Sequence, residues 1–183
     1  MLLHKKVRAL LGHHRFIQET KKVNRNREVI SFQDATRIGI LYDATDEQDS
    51  EAVKNYVKNA RSIFKKDMLA MGFVDKKVLH KSQYAQVGLD FFTRKDLNFQ
   101  LIPSNAVINN FINEEFDILI NLNSGKCFPL RYISAMSKAR FRVGRFSKSN
   151  SVYFDMMVKL AGEPPIRTVI EEIEHFLRLI KKK

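Results

Sequence analysis

The sequence predicts an α/β fold: a single Rossmann-like or flavodoxin-like domain with a mostly parallel sheet flanked by helices, preceded by a basic N-terminal helix. Three observations lead there. Short apolar runs of strand length alternate with stretches whose apolar residues recur every three or four positions, the pattern of β-α-β units. The 183 residues suit one domain. A composition of 44% hydrophobic and 28% charged residues, with seven Gly and four Pro, is that of a globular chain rather than a disordered or fibrous one.

Leu3, Val7, Leu10, Leu11, His14 and Ile17 recur at helical spacing, with Lys5, Arg8, Gly12 and Arg15 on the other face, and predict a basic amphipathic helix. The polar stretch KKVNRNREVISFQD reads as a connector. Residues 1–35 are therefore expected as helix and connector, and residues 36–183 as the α/β domain. RIGILYDA predicts a strand buried on both faces. Thr45 and Gln48 have capping-box spacing, and Val53, Val57, Ala60, Phe64, Met68 and Met71 extend a helix to Gly72, which suits a left-handed cap. KVLHKS, residues 77–82, is expected as the second strand. Residues 89–103 are expected as a loop or irregular hairpin ending in a strand near 99–102.

Ser104 is expected to cap a short helix carrying Val107, Ile108, Phe111 and Ile112. FDILINLN is the clearest strand. Pro129 fits the first turn of a helix running to about Lys138, because its missing N–H would have no partner there. RFRVGRF supplies a strand and YFDMMVKL, residues 153–160, one more. Beyond Pro164 and Pro165, the stripe Ile166, Val169, Ile170, Ile173, Phe176, Leu177 and Ile180 marks a final helix.

Thirty-two Lys and Arg against twenty Asp and Glu leave a net charge of +12, which favours polyanionic partners. From Lys126 to Lys148 there are seven basic residues and no acidic one. Arg140 and Arg142 share a strand face by their two-residue spacing, opposite Phe141 and Val143. They are expected at the surface, either meeting a polyanion or forming a solvated edge that deters aggregation. The preferred functional expectation is a non-enzymatic protein contacting nucleic acid, above all RNA in a ribonucleoprotein assembly, or another polyanion. Its expected contacts are Lys5, Lys6, Arg8, Arg15, Lys126, Arg131, Lys138, Arg140, Arg142 and Arg145. An anionic membrane surface also suits the N-terminal helix.

A second expectation places function at the carboxyl ends of the strands, where open α/β sheets bind ligands. Asp43, Asn121, Asn123, Ser124 and Lys126 would then surround a phosphorylated metabolite or nucleotide. NLNSGKC is not a phosphate-binding P-loop, since Ile120 and Cys127 stand where Gly and Ser or Thr are needed, and no G-x-G-x-x-G follows the first strand. Asp43, Asp46, Glu47 and Asp49 miss the Asp-x-Asp spacing of phosphotransfer sites and equally suit a helix N-terminus. His4, His13, His14, His80 and His175 are scattered, so no metal or other cofactor is expected. No catalytic triad or nucleophile elbow occurs. Cys127 beside Lys126 is a candidate reactive thiol.

As a lone cysteine it points to a reducing compartment, and the cytoplasm is expected. No stretch approaches the ~18 apolar residues of a membrane span. The opening segment lacks a secretory apolar core, although its basic character and its lack of acids before Glu19 also fit a transit peptide.

FDILINLNSGKCFPLRYISAMSKARFRVGRF, with RIGILYDAT and FFTRKDLNF upstream and YFDMMVKL downstream, resembles a family of small bacterial proteins classed only as a domain of unknown function. The resemblance covers most of residues 30–180, implies a cytoplasmic bacterial protein and transfers no functional residue. Over residues 116–146 the chain also looks like the strand, helix and basic Gly-containing strand of heptosyltransferase-type glycosyltransferases. That likeness implies shared α/β architecture, which does not imply shared activity.

Overall fold

The computed structural model describes residues 2–148 and 151–181, apart from the side chains of residues 2–5. β1 (Arg37–Asp43) sits inside a six-stranded sheet ordered β3-β2-β1-β4-β5-β6, in which every neighbouring pair is parallel. The other strands are β2 (Asp67–Val74), β3 (Leu89–Thr93), β4 (Ile118–Asn121), β5 (Phe141–Arg145) and β6 (Met156–Val158). The chain builds outward from β1 to β3, returns to lay β4 on the other side of β1, and builds outward again. Of the two expected variants this is the Rossmann order, with its switch point between β1 and β4.

Period-two alternation divides the sheet's side chains between two cores. Ile38, Ile40 and Tyr42 pack with α2 (Glu47–Ile63) and α5 (Ile166–Leu179), through Val53, Val57, Ala60, Ile173 and Leu177. Leu41, Met71, Phe73 and Leu119 pack with α3 (Ala106–Asn113) and α4 (Phe128–Met136), through Ile108, Phe111, Leu130 and Ile133. Asp43 continues the Leu41 side of β1, so it emerges beside the loop that enters α4.

α1 (Leu2–Thr20) lies against the outer side of α4. Phe16 is buried with Tyr132, Ala135, Tyr153 and Phe154. Gly12 lets the helix approach closely, because a Cβ there would sit 2.1 Å from the Gln100 carbonyl oxygen. Glu19 accepts from the Tyr132 hydroxyl at 2.5 Å. The docked face is thus the one carrying Arg8, Gly12 and Phe16, and the apolar stripe turns outward, with Val7, Leu10, Leu11 and Ile17 exposed. The connector is also packed: Ile30 and Phe32 join the core, and Phe32 N–H donates to the Leu177 carbonyl at 3.1 Å.

Four boundaries differ from expectation. α2 stops at Ile63, with Lys65 in the left-handed region at φ 55°, and Met68 and Met71 belong to β2. β2 is buried on nearly every position, so it has no alternation, and its two methionines three residues apart imitate a helix. The expected strand at 77–82 is a loop with a short 3₁₀ turn, Lys81–Gln83. β3 takes Leu89–Thr93 from the expected hairpin, and 99–102 forms no strand. The caps shift by one residue: Asp46 Oδ1 accepts from Gln48 N–H at 2.8 Å and Asp49 N–H at 3.1 Å in place of Thr45, and Asn105 Oδ1 accepts from Ile108 N–H at 2.8 Å in place of Ser104.

Candidate functional site at the switch point

The carboxyl ends of β1 and β4 diverge because the chain leaves them toward opposite faces of the sheet. A cleft of about 1000 Å³ opens there. Asp43, Asn123 and Ser124 line it at the switch point, Lys126 and Cys127 at the head of α4, and Asp75, Lys77 and Arg94 beyond β2 and β3. Arg8 of α1 and Glu163 before α5 also line it, with the apolar Phe73, Leu97, Leu101, Phe128 and Pro129. An adjoining cavity of about 440 Å³ shares Asp43, Asn123, Ser124 and Glu163 and adds Asp49 and Arg145.

The β4–α4 loop is held by its own asparagines. Asn121 is buried; its amide donates to Ser134 Oγ at 2.7 Å and its Oδ1 accepts from Asn123 N–H at 2.9 Å. Asn123 Oδ1 accepts from Gly125 N–H at 2.9 Å and Cys127 N–H at 3.3 Å. Gly125 has φ 90°, a conformation that favours glycine. These two asparagines shape the loop, whereas Ser124 and Lys126 are presented by it. The strand ends are tied in the same way. Asp43 Oδ1 accepts from Thr45 N–H at 2.9 Å, and Thr45 Oγ1 accepts from Asp75 N–H at 2.9 Å.

Charge in the cleft is mixed. Asp75 takes Arg94 in a two-pronged pair at 2.5 and 2.8 Å, and that guanidinium holds its carboxyl below the usual range. Glu163 bridges Lys126 at 2.9 Å and Arg145 at 3.3 Å, and Lys126 foremost holds it low. Asp49 is raised, first by burial and then by Asp46 and Asp43. Burial pushes the Cys127 thiol up to about 12, so it stays protonated at neutral pH and does not have the low pKa of a reactive cysteine.

The run of basic residues does not emerge as one strip. Arg142 keeps the face its spacing predicts, opposite Phe141 and Val143, but it is only 4% exposed because Tyr153 and Phe154 cover that face. It donates to the Ser137 carbonyl and, at 3.4 Å, to the Tyr153 carbonyl, and burial pulls it down to about 9. The expectation of a surface Arg142 is thereby corrected. Arg140, at the amino end of β5, pairs with Asp117 at 2.9 Å and with Glu28. Arg145 lies at the other end of β5 against Glu163.

Arg131 lies over the rings of Phe16 and Phe128, 5.5 Å from each centroid. Arg15 pairs with Glu19 at 2.8 Å, and Arg8 donates to the Phe99 carbonyl at 2.7 Å. Lys6 and Lys138 are exposed, and the Lys5 side chain lies outside the described residues.

A family model matches residues 10–180. The chain belongs to DUF6913, a family of unknown function. No curated protein matches this DUF6913 chain. Among solved structures it is similar to E. coli heptosyltransferase WaaC with ADP, at 9% identity and a TM-score of 0.44, over 77% of the DUF6913 chain and 45% of that chain. It therefore spans less than half the length of that enzyme.

Among the described residues of the DUF6913 chain, no group of three or more His, Cys, Asp and Glu is placed to hold a metal ion. No described helix is long and apolar enough to cross a membrane. Of the ligand set expected from sequence, Asp43, Asn123, Ser124 and Lys126 meet at the cleft, while Asn121 lies buried behind them. Asp75, Lys77, Arg94 and Glu163 were not anticipated. Asp75 and Lys77 follow β2 and Arg94 follows β3, so placing those two strands correctly was the signal that would have found these three; Glu163, before α5, had no such signal.

Proposed function

We propose that this chain is a ligand-binding domain, rather than an enzyme, and that its site is the switch-point cleft. The ligand is a phosphorylated, hydroxyl-bearing small molecule of the nucleotide or sugar-phosphate class. One observation carries the reading: a cleft of about 1000 Å³ coincides with the β1/β4 switch point and is lined by cations from four separate segments, Arg8, Lys77, Arg94 and Lys126, together with Asp43. Cations that converge from distant segments suit a phosphate, and a carboxylate among them suits hydroxyl groups. Asp75 and Glu163 hold Arg94 and Lys126 in place before a ligand arrives. A cytoplasmic, bacterial setting accords with the single unpaired cysteine and with the family resemblance.

Thermal-shift screening against nucleotides and sugar phosphates tests this. A binder at one hundred times its dissociation constant adds about 2.7 kcal/mol, which raises Tm by several degrees. Lys126→Ala combined with Arg94→Ala should remove the shift. A flat response to every compound at millimolar concentration would leave the cleft without a ligand of this class.

Contact with RNA or another polyanion is the second reading, supported by the +12 charge and by exposed Lys6 and Lys138. Arg142 is buried, and Arg140 and Arg145 lie at opposite ends of β5, so the basic run offers no single continuous strip. Its signature is nucleic-acid binding that weakens steeply with salt.

A further inference from the structure

We infer that α1 is an amphipathic anchor for an anionic lipid bilayer, with its Val7, Leu10, Leu11 and Ile17 face as the inserting surface. These four side chains are 43, 68, 43 and 42% exposed, although they form the apolar stripe of the helix. An amphipathic helix on a globular domain ordinarily buries that stripe. Here the opposite face is buried: Gly12 touches the Gln100 carbonyl, Phe16 fills an aromatic cluster, Arg8 is tied to the Phe99 carbonyl and Glu19 to the Tyr132 hydroxyl. The helix is fixed to the domain by its polar side and by one phenylalanine. Leu10 and Leu11 are left in water.

The charges decide what covers them. Glu19 is the helix's one acidic residue, and it is turned to the domain between Arg15 and Tyr132. The outward side is bordered by exposed Lys6, exposed Lys21 and Lys22 follow the helix end, and within the stripe His14 and Gln18 engage each other at 2.9 Å. Apolar side chains edged by cations without an acid match an anionic headgroup layer. A second copy would meet the stripe with the same cations and the same +12. A stable protein interface also takes about 20–30 residues a side, far more than this stripe supplies. A bilayer requires no matching surface. The stripe from Val7 to Ile17 is about 15 Å long, enough to lie in the headgroup region.

The test is flotation of the full chain with vesicles of phosphatidylglycerol and phosphatidylcholine in equal parts, against phosphatidylcholine alone. The chain should float with the anionic vesicles, less with the neutral ones, and less at high salt. Leu10→Asp with Leu11→Asp should lower the partition coefficient about tenfold or more without lowering Tm, since both side chains are exposed. Because the sequence contains no Trp, Leu10→Trp supplies a single reporter, and its emission should shift to the blue on adding anionic vesicles. A chain that stays at the bottom with both vesicles overturns the inference, as does a double variant that floats as well as the parent. A dimer in sedimentation velocity that Leu10→Asp dissolves, with no flotation, would assign the face to a second copy. None of these outcomes depends on whether the cleft binds a ligand.

Discussion

Asp155 accepts from Arg25 at 2.7 Å on both oxygens, from Arg27 at 2.9 Å and from the Arg142 backbone at 2.8 Å, with its side chain only 9% exposed. Burial pushes its pKa up, but the Arg25 hydrogen bond first and the others after it bring the net shift downward. A depressed carboxylate stabilises the fold above its unfolded value of about 3.9, and that contribution disappears as pH falls through the folded value. Asp155→Ala leaves the buried Arg25 side chain without its carboxylate, held only by the Ala139 and Arg140 carbonyls, and we predict a loss of about 3–5 kcal/mol in urea unfolding at neutral pH. The gap between parent and variant should narrow below about pH 4. No sequence pattern announces Asp155, because the connector and the β5–β6 loop meet only through the fold. Arg142 makes the complementary point. Spacing placed it on the correct face of β5, but only the packing of Tyr153 and Phe154 decided that this face is dry.

α1 and the α2–β2 junction show what periodicity conveys at the scale of an element. The stripe on α1 was legible, but which side docks was not, since docking follows from a missing Cβ at Gly12 and a single ring at Phe16. Gly12→Ala would set its methyl against the Gln100 carbonyl, so we predict a loss of about 1–3 kcal/mol, with hydrogen exchange faster in residues 6–20 than in the sheet. At the α2–β2 junction the helix stops where Lys65 adopts φ 55°, a position usually held by Gly. The reading overran because the nearest glycine, Gly72, lies inside β2. Lys65→Gly should relieve a left-handed conformation costing about 1–2 kcal/mol, offset by about 0.5–1 kcal/mol of unfolded-chain entropy. A small rise in Tm is the expected result.

Over the whole molecule, alternating apolar runs and helical stripes were enough to read an α/β domain, because each strand buried on both faces and each one-sided helix carries its own local pattern. Strand order was not readable, since it depends on which connections cross which face. Half of the cleft was hidden for the same reason: Asp75 with Lys77, Arg94 and Glu163 come from three separate segments and meet only once β3, β2, β1 and β4 lie side by side. The central claim is that this meeting place binds a phosphorylated ligand. Backbone amide NMR, with a nucleoside monophosphate and then a hexose phosphate titrated into the full chain, tests it most directly. Saturable shifts confined to the amides of residues 43–45, 75–77, 94 and 123–127 are predicted for at least one of the two. Shifts centred on α1 or on the amino ends of the strands, or none with either compound, would contradict it.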